Sequence, residues 1–343
     1  MKKLVFLLSA LSLMACNKNE DDEKVVAEKE VSIPAGAFYK SVAVEVPEGQ
    51  KAEVYVGGMK TSEICGPTST EVLVPANAMA VDGLRSVSLD SLEYYSIKYV
   101  PFSGEGGDVH TMMTTIAFED LRDNIDADYN DFVVELWSNM KLDYVGDSLN
   151  VTIKWQELTP IAMGAEYNMQ FGCKVALFKG SELVDEKDVI ISEDVRRDYF
   201  GGTVGLLNTI KDGLTFETSK VEDVNEVFVT FKDAPKGVTC HLLYFINVKN
   251  TGYRHYAVAV ANTADNAAFD LNFGDGEVVG NGSKDDTKHA LGLFMPSALK
   301  FYYPQEKVSI FDAYGDFGKW LNGTFEENPF KDNRKEDLLY IKQ

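Results

Sequence analysis

Residues 113–137 read MTTIAFEDLRDNIDADYNDFVVELW, and this stretch decides the fold class. Its apolar and β-branched residues predict one strand over Met113–Phe118 and a second over Phe132–Trp137. Between them lies a strongly polar segment, residues 118–131, here called the acidic loop. Two short strands separated by a loop of turn-forming residues are typical of antiparallel sheets.

The same pattern of short apolar runs, separated by Gly, Pro, Asn and Asp, continues from about Val31 onward. Strand spacing of this kind predicts a mainly β fold, built of antiparallel β-sandwich domains with one or two packed helices. The further predicted strands are Ser41–Val46, Ala52–Val56, Glu71–Val74, Tyr94–Val100, Leu149–Trp155, Tyr167–Leu177, Val189–Ile191, Glu226–Phe231, Cys240–Val248 and His255–Val260.

Two stretches have helical rather than strand periodicity. From Glu306 to Asn322, one apolar face recurs at helical spacing, with Pro304 before the first turn and Gly323 placed to end the helix. We expect this helix to lie against a sheet. A second helix is predicted over Val195–Lys211, although that segment contains Gly201 and Gly202.

The first sixteen residues, MKKLVFLLSALSLMAC, have the form of a bacterial lipoprotein signal. Two lysines precede an apolar run that is too short to span a bilayer permanently, so we expect residues 1–15 to be a cleaved export signal. Leu13-Met14-Ala15-Cys16 fits the lipobox pattern and makes Cys16 the candidate lipid anchor. The alternative is an ordinary secretory signal in which Cys16 is incidental.

Residues 16–27 form an acidic tether that includes NKNEDDEK and has nothing to bury, so we expect it to be a disordered spacer. A lysine followed by acids after a lipidated cysteine resembles signals that carry lipoproteins to the outer face of the outer membrane. The predicted location is therefore the outer membrane, exposed at the cell surface. A solvated linker with no addressing role is the alternative.

Length and composition limit the remaining possibilities. The 343 residues are enough for one large or two ordinary domains. We expect two, at 28–140 and 141–343, with the seam in the polar segment 138–148. The formal net charge of −21 disfavours nucleic acid and anionic lipid as partners and favours cations. Beyond the signal, no apolar run is long enough for a transmembrane helix.

Cysteine usage argues against a disulfide scaffold. After Cys16, the chain has Cys65, Cys173 and Cys240, and three cysteines cannot all pair. One disulfide among them and three small buried thiols are both compatible with their apolar surroundings.

The acidic loop concentrates oxygen ligands. Calcium takes six to eight oxygens, and a curled loop could point Asp126, Asp128 and Asn130 into one cavity while backbone carbonyls fill the gaps. The loop lacks the glycine and closing glutamate of an EF-hand. The alternative is a solvated turn in which Asp and Asn cap backbone groups. A second polar segment, residues 270–286, is interpreted as a surface or binding loop.

No catalytic constellation stands out. The four histidines are scattered without a zinc-hydrolase pairing, no GxSxG elbow occurs, and nothing marks one carboxylate pair over another. We therefore predict that the protein is not an enzyme. The three tryptophans could stack on sugars, but core packing is the better interpretation for Trp137, Trp155 and Trp320.

Three motifs in order resemble the signature of LruC-domain proteins, a family of bacterial envelope and surface proteins whose C-terminal part is a domain of unknown function. The first is FEDL at 118–121 followed by DADYNDFVV at 126–134; the second is AEYN at 165–168 with QFG at 170–172. The third runs from ALGLFMP at 290–296 through FYYPQE at 301–306 to Trp320. The segment around His255 lacks the proline and glycine that relatives often carry there, and Gln170 stands where glycine is usual.

The resemblance implies a calcium site in the acidic loop. Carried over to this chain, its ligands are Glu119, Asp120, Asp126, Asp128, Asn130 and Asp131. The expected function is a surface-anchored, calcium-stabilised lipoprotein acting as a binding or adhesion-type module for a glycan or protein ligand. The alternatives are a structural subunit of a surface assembly and a calcium-dependent hydrolase of extracellular polymer.

Overall fold

The computed structural model describes residues 33–81, 92–104, 107–121, 126–180, 182–211, 221, 226–262 and 289–341. They form a mainly β protein, as predicted. In chain order, the strands are β1 Tyr39–Val46, β2 Gln50–Val56, β3 Met59–Cys65, β4 Thr68–Pro75, β5 Met79–Ala80, β6 Tyr94–Pro101, β7 Gly107–His110, β8 Thr114–Phe118, β9 Phe132–Val145, β10 Ser148–Ala162, β11 Met169–Lys179, β12 Glu182–Ser192, β13 Val227–Phe231, β14 Thr239–Val248, β15 Tyr253–Tyr256 and β16 Gly292–Pro296.

The strands assemble into four sheets. The central sheet has the order β13-β10-β9-β8-β16, and β7 also pairs with β9. A second sheet, β12-β11-β14-β15, packs on one face of it, and the chain's N-terminal strands form the sheet β3-β2-β6-β5 and the pair β1-β4. Strand pairing is antiparallel throughout except between β5 and β6.

The central sheet is covered on both faces. Because successive side chains on a strand point to opposite faces, β8 sends Ile116 into the core shared with β11 and β14, and Ala117 into the other core. On β9, Phe132 and Val134 enter the first core, whereas Val133 enters the second. The first core lies between the central sheet and the sheet β12-β11-β14-β15, which pack face to face as in a β-sandwich. The second joins the central sheet to β1, β2, β4 and the C-terminal segment, residues 297–341.

Every strand predicted from the sequence overlaps an observed strand, but β9, β10 and β12 each extend seven or eight residues beyond the prediction at one end. The strand predicted over His255–Val260 ends at Tyr256. Four further strands carry too little apolar alternation to be recognised: β3, β5, β7 and β16. The segment 138–148 is not the polar connector that we expected, because β9 runs through Val145 and turns at Gly146 directly into β10. The expected domain boundary at residue 140 therefore falls within a strand.

The helix predicted over 306–322 is wrong in extent. It is replaced by two short helices, α2 Ile310–Ala313 and α3 Phe317–Leu321. Between them Tyr314 is extended and Gly315 N–H bonds to the Asn333 carbonyl, so the backbone pairs with a neighbouring segment instead of continuing the helix. The apolar periodicity is nevertheless real, because its face is buried in the second core.

The helix predicted over 195–211 is also shorter than expected. Helix α1 covers Val195–Phe200, begins at Asp194, whose side chain accepts from Arg197 N–H, and ends where Gly201 adopts a φ of +61°. Gly202 is left-handed as well, at +72°. Two successive left-handed residues direct the chain away from the helix axis.

The structure also bears on the cysteines and on membrane-spanning helices. Cys65, Cys173 and Cys240 form no disulfide with one another. Within the described residues, no helix is long and apolar enough to cross a membrane. The signal, Cys16 and residues 270–286 lie outside the described residues.

The two-core arrangement predicts that two phenylalanine-to-alanine substitutions lower the free energy of unfolding by very different amounts. Phe132 is fully buried, with ring centroids 5.3 Å from Phe171 and 6.3 Å from Tyr199, whereas the Phe228 side chain is 70% exposed on β13. Phe132→Ala should lower the free energy of unfolding by about 3–5 kcal/mol, because it leaves a cavity. Phe228→Ala should change it by less than about 0.5–1 kcal/mol. Urea denaturation measures both, and equal losses would contradict the described packing.

Candidate metal centre

The acidic loop connects two strands that are buried on both faces, and this fixes the positions of its carboxylates. Glu119 and Asp120 follow the last residue of β8, and Asp131 precedes the first residue of β9. The backbone N–H of Asp120 donates to Asp131 Oδ2 at 2.7 Å, which closes the base of the loop. Residues 122–125, including Asp123 and Asn124, lie outside the described residues.

Three of the carboxylates lie close together. One oxygen each of Glu119, Asp126 and Asp128 lie within 4.8 Å of one another. Glu119 is 1% exposed and Asp128 is 2% exposed, whereas Asp126 is exposed to solvent. This group is here called the carboxylate cluster. Oxygen ligands at this separation suit a hard divalent cation such as calcium.

The backbone around the carboxylate cluster adopts an unusual conformation. Ala127 and Tyr129 have φ values of +56° and +50°, the left-handed region that non-glycine residues reach at a cost of roughly 1–2 kcal/mol each. The resulting turn lets Tyr129 N–H donate to Glu119 Oε1 at 2.6 Å and Asn130 N–H donate to Asp128 Oδ1 at 3.3 Å. The carboxylates are therefore held in place by the main chain.

The Tyr129 side chain anchors this turn in the interior. Its hydroxyl donates to the carbonyl of Ala290, and it also contacts His289 Nδ1 at 2.5 Å. Both rings are fully buried. The strained turn is thus fixed by contacts with a segment 160 residues away in the sequence.

Burial and mutual repulsion raise the pKa values of these acids. Desolvation, followed by the charges of Asp128 and Asp126, holds the pKa of Glu119 well above its usual range. Desolvation and the Asp126 charge raise the pKa of Asp128 to about 8. The exposed Asp126 also has a raised pKa through desolvation, and the Lys307 ammonium opposes this shift. The cluster is therefore costly to ionise without a cation.

Five of the six residues expected as ligands form two groups. Glu119, Asp126 and Asp128 form the carboxylate cluster, whereas Asp120 and Asp131 lie against each other at the base of the loop. Desolvation raises the pKa of Asp120 to about 6, and desolvation together with the Asp120 charge raises that of Asp131 well above normal.

The sixth residue, Asn130, is completely buried. Its Nδ2 donates to the carbonyl of Pro304 at 3.3 Å, but none of the described residues donates a hydrogen bond to its Oδ1. This oxygen lies over Gly164, where a β-carbon would come within 2.0 Å of it. A buried amide oxygen without a donor is a polar group that a cation would satisfy.

Sequence reasoning missed two neighbours of the cluster. Lys307 N–H donates to Asp128 Oδ2 at 2.8 Å, and the pKa of Glu306 is raised by desolvation and by the Asp126 charge. Both residues lie about 180 positions further along the chain, and no spacing rule in the sequence connects them with the loop. Only the Tyr-Pro-x-Glu motif at 303–306 marked this region, without indicating its partner.

The tryptophan predictions are confirmed for two of three residues. Trp155 is 3% exposed and donates through Nε1 to the Tyr244 hydroxyl, and Trp320 is 6% exposed in the second core. Trp137 is half-buried. His241 and His255 lie on strands β14 and β15, as expected.

Comparisons with protein-family models, with curated proteins and with solved structures found no match to this chain.

The raised pKa values predict how stability depends on pH when divalent cations are removed. The folded state binds more protons than the unfolded chain between the unfolded carboxyl pKa, near 4, and the folded value of about 8 for Asp128. Unfolding free energy in chelator should therefore rise as pH falls from 8 to 6. Asp128→Asn should reduce this rise by about 1–2 kcal/mol, because it removes one titrating group.

Urea denaturation in chelator at the two pH values measures the effect. Asp332→Asn is the matched control, since Asp332 is an exposed acid in the C-terminal segment. It should keep the wild-type pH dependence. An identical pH dependence in Asp128→Asn and wild type would contradict the burial of this carboxylate.

Proposed function

We propose that this chain is a surface lipoprotein, anchored through Cys16, whose calcium-stabilised β-sandwich acts as a binding or adhesion-type module for a glycan or protein. The observation that carries the proposal is the carboxylate cluster, in which Glu119 and Asp128 are almost inaccessible while Asp126 reaches solvent. A bound calcium would neutralise these charges. The resemblance to LruC-domain proteins supports the same assignment.

The chemistry of the donor set fits calcium. Glu119, Asp126 and Asp128 supply carboxylate oxygens, and the partnerless Oδ1 of Asn130 supplies a neutral oxygen beside them. Calcium prefers such hard oxygen ligands, mixed between carboxylates and carbonyls. The remaining positions of a six- to eight-coordinate ion would be filled by main-chain carbonyls and water.

A structural role for the ion fits better than a role in ligand capture. Two of its three carboxylates are inaccessible to any macromolecule, and the backbone N–H groups of Tyr129 and Asn130 hold them in place. An ion here would hold the loop against both cores. Ligand recognition would then fall to the loops and edges that this scaffold positions.

A structural subunit would need a surface for assembly, and the edge strand β12 is mostly exposed. Its outward residues include several acids and Lys187, however, and charged edge strands resist pairing with another chain. The Lys187 ammonium instead bonds to the Thr230 carbonyl, at the neighbouring edge strand β13. This edge therefore favours a binding module over an assembly subunit.

Calcium should raise the thermal midpoint of the purified protein by mass action, with a gain of about 2.7 kcal/mol at a concentration one hundred times the dissociation constant. Asp126→Asn should lose most of this gain while leaving stability in chelator equal or slightly higher, because it removes repulsion. Asp332→Asn should behave as wild type. Calorimetry with calcium and with chelator provides the test, and a wild-type midpoint that ignores calcium would overturn the calcium assignment.

Lipid attachment predicts a clear labelling result in a Gram-negative host. Cys16→Ala should abolish incorporation of radiolabelled fatty acid and leave the unprocessed precursor, because the thiol is the acceptor. Cys65→Ala, which removes a cysteine in strand β3, should keep wild-type labelling. Labelling that survives Cys16→Ala would refute the anchor.

A further inference from the structure

The carboxylate cluster lies at a junction between the acidic loop and the C-terminal segment. Lys307 N–H donates to Asp128 Oδ2 at 2.8 Å, and Ile310 N–H donates to the Ala127 carbonyl at 2.7 Å. The Asn130 amide reaches the carbonyl of Pro304. Three of the four loop positions 127–130 are thus tied to residues 304–310.

Glu306 occupies the centre of this junction. Its side chain is half-buried, with Lys307 on one side and Pro304 two residues before it. The charges of Asp126 and Asp120 repel its carboxylate, and the Asn130 side chain donates a hydrogen bond to it. It therefore faces the acidic loop and adds a carboxylate to a region that already holds several.

Within the part of the chain that the structure describes, two buried oxygens on neighbours of Glu306 lack a hydrogen-bond partner. One is Asn130 Oδ1, and the other is the hydroxyl of Thr209, which is also completely buried. The carbonyl of Thr209 accepts from the Glu306 N–H at 2.9 Å, so this hydroxyl belongs to the same neighbourhood. Buried polar atoms are nearly always satisfied, and two unsatisfied oxygens on residues that contact Glu306 point to a missing partner.

We propose that Glu306 is a calcium ligand contributed by the C-terminal segment, together with Asn130 Oδ1, and that the ion cross-links this segment to the acidic loop. The inference rests on the calcium site proposed above. With Glu306 as a ligand, the ion is bound not by the acidic loop alone but by two distant parts of the chain.

A cross-link of this kind would help to keep the C-terminal segment in its folded conformation. Its residues supply much of the second core, including Ile310, Tyr314, Phe317 and Phe330, all fully buried. Lys307 has a φ of +62°, a conformation that non-glycine residues adopt only when held. Loss of the ion should therefore loosen residues 303–315 ahead of the β-sandwich.

Glu306→Gln separates this inference from the calcium site itself. Glutamine keeps the shape of the side chain but removes its charge, so calcium affinity should fall at least about tenfold, as expected when a ligand charge is lost. Stability in chelator should be equal or higher, because repulsion with Asp126 is relieved, and this shows that the variant folds. Glu327→Gln removes an exposed acid of the same segment and should keep calcium affinity within about twofold.

Calorimetric titration with calcium measures the affinities, and hydrogen exchange measures the backbone of residues 303–315. In wild type, calcium should slow exchange there as well as in the acidic loop; in Glu306→Gln, the slowing should be confined to the acidic loop. Equal calcium affinity in wild type and Glu306→Gln would overturn the role of Glu306 while leaving the site intact. Absence of calcium binding to wild type would overturn both.

Discussion

Burial of strands β8 and β9 on both faces is the constraint on which the rest of this structure depends. Alternate residues of these strands enter two different cores, so neither strand can shift by one residue without exchanging the contents of both. The β-sandwich, the N-terminal strands and the C-terminal segment all pack against this pair. The described ends of the acidic loop, residues 118–121 and 126–131, are therefore held at a fixed place between the cores.

This position explains why the acids are so strongly perturbed. A loop at the edge of a sheet would expose its carboxylates to water, but Glu119 and Asp120 directly follow a fully buried strand and are 1% and 5% exposed. Burying several like charges together raises their pKa values and costs stability unless a cation compensates. The strained turn at Ala127 and Tyr129 adds to this cost, and its anchoring by Ala290 and His289 shows that the rest of the fold enforces it.

The C-terminal segment shows how tertiary contacts override local preference. Its apolar spacing is helical, but hydrogen bonds from Lys307 and Ile310 to the acidic loop and pairing of Gly315 with Asn333 leave room for only two short helices. The buried face survives because packing in the second core requires only that the same side chains point inward.

The sequence by itself determined the mainly β class, the location of most strands and the acidic loop as the candidate metal centre, because strand alternation and local carboxylate density are short-range properties. Only the tertiary structure decided which acids meet: it brought Glu119 to Asp126 and Asp128, set Asp120 against Asp131, and added Glu306 from elsewhere in the chain. It also extended β9 through a segment whose polar residues predicted a connector. The physical reason is that pairing across sheets and between distant segments depends on how two cores fill together, which no local pattern encodes.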